Sequence, residues 1–92
     1  MKLLDSESLK SNIKIYDKAL SIKNTVKVES ISLRNISFIV KGDNTYHSVI
    51  YIENKGWSCD CKYYSIHGRI CSHIIAVNLR LRESLLCHKN KE

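Results

Sequence analysis

The chain of 92 residues has no proline, three glycines and one methionine. Long structureless linkers are therefore not expected, because proline is missing and glycine is scarce. Also absent is any apolar run near the roughly 20 residues that a membrane helix needs. The opening MKLLDSESLK puts acids and serines where a signal peptide carries its apolar stretch. The expectation is a soluble chain in the cytoplasm, or one associated with a nucleoid or nucleus. There is no internal repeat, no low-complexity segment and no block of five or six consecutive bases. No P-loop, H-E-x-x-H or G-x-S-x-G appears, and a zinc-deaminase pattern is ruled out by the lack of proline. These absences lead us to expect a protein that is not an enzyme.

What is present is a globular composition, 43% hydrophobic and 26% charged. Fifteen bases against nine acids give a net charge of +6, which suits a polyanionic partner such as DNA. Leu9, Ile13, Tyr16 and Leu20 recur at helical spacing and predict one helix over residues 5–22. Lys10, Lys14 and Lys18 lie off that stripe and read as a solvated face. Residues 25–53 alternate as strands, with Ile36, Phe38 and Val40 in one run and β-branched and aromatic residues through 46–52. Gly42-Asp43-Asn44 and Asn54-Lys55-Gly56 supply turn chemistry. A second helix is expected over 72–86, apolar around half its circumference. Such a helix is either sandwiched between the sheet and the first helix or shows apolar surface to a partner; the sandwich is the expectation. The fold class is thus α+β: N-terminal helix, antiparallel β-meander, C-terminal helix.

The four cysteines carry the most information. Cys59 and Cys61 have one residue between them, and so do Cys71 and His73. Clustered Cys and His without a secretory signal favour metal over disulfide. On an extended strand, positions two apart share a face with Cα atoms about 6.5 Å apart. Their sulfurs can then close to the roughly 3.8 Å that a tetrahedral ion requires. On a helix, positions two apart point about 200° apart. Cys71 must therefore sit before the second helix, near its N-cap, with His73 in the first turn. The site so assembled is Cys₃His: Cys59, Cys61, Cys71 and His73 around one structural Zn²⁺, with four protein ligands and no open position for catalysis. Iron–sulfur clusters prefer four cysteines. Loss of three thiol protons and gain of one divalent ion would lower the net charge from +6 to +5. His67 is expected to be exposed or to support the loop, and His47 to be structural. Cys87 lies about 20 Å further along a continuous helix and reads as an ordinary thiol.

The pattern CxCx₉CxH resembles the SWIM zinc finger. The flanks agree: Trp57-Ser58 before the first cysteine, Tyr63 and Tyr64 after the second, and Ile74-Ile75-Ala76-Val77 after the histidine. The resemblance covers residues 36–80. It implies a β-hairpin followed by a helix with zinc between them, in proteins that act on DNA or bind other proteins. Among these are transposase-related proteins, chromatin-remodelling ATPases, ubiquitin ligases and accessory factors of RecA-like recombinases. The expected organisation is an N-terminal helix and first strand over 1–35, the finger over 36–86 and a tail over 87–92.

Two functions follow as expectations. Lys62, Tyr63, Tyr64 and Arg69 in the loop, with Arg80 and Arg82 on the following helix, interleave bases with aromatics and could hold phosphates and stack on bases. That points to DNA binding, in recombination, repair or transposition-type transactions by the resemblance. The alternative is a pure protein–protein adaptor, such as an accessory subunit of a RecA-like recombinase or a self-associating chain. Neither a membrane nor a small-molecule substrate is expected.

Overall fold

In the computed structural model, which describes residues 3–42 and 44–90 with side chains to residue 84, the N-terminal segment departs first from expectation. One helix over 5–22 is replaced by two, α1 (Ser6–Lys10) and α2 (Ile13–Ile22). The break is chemical. Asp5 caps α1 by accepting from the Ser8 N–H at 2.8 Å. Asn12, in extended backbone, caps α2 by accepting from the Lys14 and Ile15 N–H groups. Ser and Asn favour caps over helix interiors because their side chains compete for backbone groups. The break also changes which face is apolar. Leu9 is buried, but Ile13 and Leu20 of the expected stripe are exposed. Ile15, Ala19 and Ile22 turn inward instead. A 3₁₀ turn (Lys23–Thr25) then leads into the sheet.

The sheet is the expected antiparallel meander, in the order β1 (Lys27–Ile31), β2 (Asn35–Lys41), β3 (Tyr46–Ile52), β4 (Gly56–Cys59). Phe38 pairs with Val49 and Val40 with His47. Phe38, Val40 and Val49 face the core, as the period-2 alternation requires. Ser37, Ile39, Ser48, Ile50 and Ser58 line the other face. Strand β1 bulges between Val28 and Ser30 and is exposed along its length. The Gly42–Asn44 turn contains Asp43, which lies outside the described residues.

Helix α4 (Ser72–Asn90) runs past the expected end at 86. Every residue from Cys71 to Asn78 is buried, because the helix is sandwiched between the sheet and α2. The reading of Cys87 lies outside the described side chains. Within the sandwich, Asn78 is fully buried. Its Oδ1 accepts from the Leu4 N–H at 2.8 Å and its Nδ2 donates to the Ile74 carbonyl at 2.9 Å. Arg82 adds a bond to the Leu4 carbonyl at 3.2 Å, and Lys23 pairs with Glu83. Asn78 thereby fastens the start of the chain to α4. An Asn78→Ala variant should lose about 1–3 kcal/mol, from the part-buried Leu4 N–H left without its acceptor and the lost packing of a buried side chain. Chemical denaturation with zinc held constant measures this; an unchanged midpoint would remove Asn78 from this role.

Candidate metal centre

The four residues singled out by spacing come together. Cys59 ends β4, Cys61 follows it, Cys71 immediately precedes α4 and His73 lies in its first turn. Their ligand atoms all lie within 4.8 Å of one another, and all four residues are buried. Nδ1 of His73 is 3.7 Å from Cys59 Sγ and 3.8 Å from Cys71 Sγ. Around a tetrahedral zinc, sulfur and imidazole nitrogen should lie about 3.6 Å apart, so the cluster needs little adjustment. Nδ1 is thus the nitrogen turned to the metal, and Nε2 lies on the far side of the ring.

The nine residues between the cysteine pairs are not all loop. Lys62–His67 form a short helix, α3. Both flanking cysteines use this: Cys61 is the N-cap of α3, with its Sγ accepting from the Tyr64 N–H at 3.5 Å. Cys71 stands before α4, and its Sγ accepts from the Ile74 N–H. Each sulfur so placed meets the positive end of a helix, which favours the thiolate. Gly68, at φ 62°, closes α3 in the left-handed conformation that glycine adopts without strain.

The electrostatics call for a cation. A hydrogen bond from Cys59 holds the Cys71 thiol down to about 4, against burial, with His73 and the Ile74 N–H adding to the effect. The same hydrogen bond, followed by burial and the Cys71 charge, pushes Cys59 up. Burial foremost pushes Cys61 up as well. One thiolate is tolerated and its neighbours resist ionisation, because three negative sulfurs repel in a buried site. A bound Zn²⁺ supplies the missing charge, cross-linking β4 to α4.

Asp60, the residue inside the first cysteine pair, anchors that pair to β3. Its carboxylate accepts from the Ser48 N–H at 3.1 Å and lies 3.2 Å from His47 Nδ1. The His47 ring packs on that of His73 with centroids 4.4 Å apart. His47 is therefore structural, but at the metal centre. Gly42 is needed beside it, since a Cβ there would come within 2.7 Å of the His47 ring. No local spacing announced this. The β3–β4 register, Val49 opposite Cys59, carries the signal once continued to His47 opposite Cys61.

The bases and aromatics scatter. Lys62 and Arg69 are exposed. Tyr63 is half-buried, its ring 4.6 Å from that of the exposed His67. Tyr64 donates to the Trp57 carbonyl at 3.3 Å and packs on the core. Arg82 is tied to Leu4, and Arg80 lies 3.8 Å from Glu83. Lys14 and Lys18 are exposed, as a solvated face requires, and they also border a cavity of about 400 Å³ with Lys62, Tyr63 and the metal ligands Cys61, Cys71 and His73. The shift of the α2 stripe to Ile15 and Ala19 turns them there.

Fold and site together define a small α+β module built around one closed Cys₃His cluster, consistent with one structural zinc. Residues 39–82 match the family model of the SWIM zinc finger, and the chain carries a SWIM zinc finger domain there. No curated protein and no solved structure matches the chain significantly. Among the described residues, no helix is long and apolar enough to cross a membrane.

Proposed function

We propose that this zinc module binds nucleic acid, DNA in the first instance, without catalysing a reaction on it. The observation that carries the reading is the gathering of Lys14 and Lys18 from α2 with Lys62 from α3 on one side of the metal centre, in a cavity whose lining contains no carboxylate. A Cys₃His zinc carries a net charge of −1, so Lys14 and Lys62 already leave that side positive. Lys62, Tyr63 and Arg69 are the contact residues taken from the sequence; Tyr64 and Arg82 are occupied in packing and tethering. The net charge of +6 supports the same partner. A role in recombination, repair or transposition rests on the family alone.

About three phosphates neutralised on a single strand give a slope near −2 in log affinity against log salt. Raising salt from 50 to 200 mM should then weaken binding about 20-fold. Titration of labelled DNA into zinc-loaded protein at both concentrations measures it. Binding that ignores salt, or no binding at low salt, ends this reading.

A protein adaptor is the second reading, and one observation favours it. The apolar residues of α4 from Ile74 to Val77 are buried in the core, but the edge strand β1 is exposed. Ile31 is 71% exposed and Leu33, just beyond it, is fully exposed. An exposed, partly apolar sheet edge is suited to pairing with another strand.

A further inference from the structure

The cavity beside the metal centre has more shape and chemistry than a phosphate contact requires. It lies where α2, α3 and the start of α4 meet, and its volume of about 400 Å³ is that of a small-molecule site. Its lining is mostly apolar, with Ile15 and Tyr63 on one side and the metal ligands Cys61, Cys71 and His73 on the other. Three lysines, Lys14, Lys18 and Lys62, belong to its lining. A bare phosphate site would be polar throughout; this one pairs an apolar, aromatic wall with cations.

A second observation points to an occupant. His73 lines the cavity, is only 6% exposed, and its Nε2 is buried without a hydrogen-bond partner. With Nδ1 turned to the sulfurs, Nε2 carries the proton and is a donor. A metal-bound histidine normally gives that proton to a carboxylate, a carbonyl or water. A buried donor with nothing to donate to costs free energy, and an acceptor brought by a ligand would recover it.

We infer that this cavity takes one unstacked base of a single-stranded nucleic acid, with Tyr63 as the aromatic wall, Lys14, Lys18 and Lys62 on the flanking phosphates, and His73 Nε2–H donating to an acceptor on the base edge. The inference rests on the nucleic-acid reading above and narrows it to the single-stranded form. A duplex hides its bases in the stack and presents only phosphates and groove edges to such a cavity. Every base has a face that can stack on an aromatic ring, so recognition tolerates any sequence. Two of the three lysines come from α2, outside the matched residues 39–82, so the N-terminal helices build part of the site.

The test compares three labelled 15-mers by fluorescence anisotropy on zinc-loaded protein: oligo-dT, an abasic strand with the same phosphates, and a duplex. Oligo-dT should bind about tenfold more tightly than the abasic strand, the value of roughly one stacked base, and more tightly than the duplex. Tyr63→Ala should erase the difference between dT and abasic strands, and Tyr63→Phe should keep it. Lys14→Gln with Lys18→Gln should weaken dT binding more than Lys27→Gln with Lys41→Gln, which removes equal charge from the outer face of the sheet. One zinc per chain is confirmed for every variant, and the lysine pairs decide if Tyr63→Ala does not fold. Equal affinity for all three strands, with both lysine pairs equivalent, would overturn the base pocket and leave nucleic-acid binding standing. No binding to any strand at low salt would overturn both.

Discussion

Removing the zinc is expected to unfold the protein. Titration with a strong chelator should abolish the helical and sheet signal in far-UV circular dichroism, and added Zn²⁺, but not Mg²⁺, should restore it. The size of the effect follows from what the ion connects. It joins the end of β4 to the start of α4, and α4 from Cys71 to Asn78 is the buried centre of the fold. Apparent zinc free energies of about 10–16 kcal/mol in small fingers equal or exceed the total stability of an ordinary domain. Without the ion nothing offsets the repulsion of three thiolates in a buried site. Cys59 and Cys61 are pushed up, so they become thiols, and the hairpin loses its hold on α4. Zinc affinity should also fall as pH falls, because binding requires three deprotonated thiols and a deprotonated Nδ1. Of the single variants, Cys71→Ser should be more damaging than Cys61→Ser. Both sulfurs cap helices, but Cys71 caps the central α4 and Cys61 the short α3. A chain that keeps its spectrum and cooperative melting with zinc removed would show the cluster to be dispensable for folding.

The next largest effect is expected at Phe38. It is 1% exposed, the bulkiest fully buried side chain, and its ring lies 6.0 Å from that of Trp57. Trp57 in turn contacts Tyr51 at 4.9 Å. Phe38→Ala should cost about 3–5 kcal/mol, from lost burial and from the void left between sheet and helix. In so small a domain little core remains to compensate. Ile39, the next residue, points to the other face of the sheet and is half-buried. Ile39→Ala should cost about 1 kcal/mol or less. Urea midpoints of the two variants, each loaded with zinc, make the comparison. Equal losses would mean that the outer face of the sheet is as well packed as the inner one.

The metal centre was legible in the sequence because it is written locally. Cys59 and Cys61 share a strand face and Cys71 and His73 straddle a helix start, so each pair's geometry follows from its own backbone. The meander was legible too, since alternation through 36–40 and 46–52 and the turn residues between them specify neighbouring antiparallel strands. The N-terminal segment departs from its apolar spacing for a local reason: that spacing runs through Ser11 and Asn12, but α1 ends at Lys10 and Asn12 caps a new helix. Tertiary structure alone decided the surroundings of the site. His47 reaches His73 only through the β3–β4 register, and Lys14 and Lys18 reach the cavity only because α2 packs on α4 through Ile15 and Ala19. Ligands close in sequence are fixed by bond geometry. Residues more than 40 positions from Lys62 and His73 are brought to them by packing, which no spacing records.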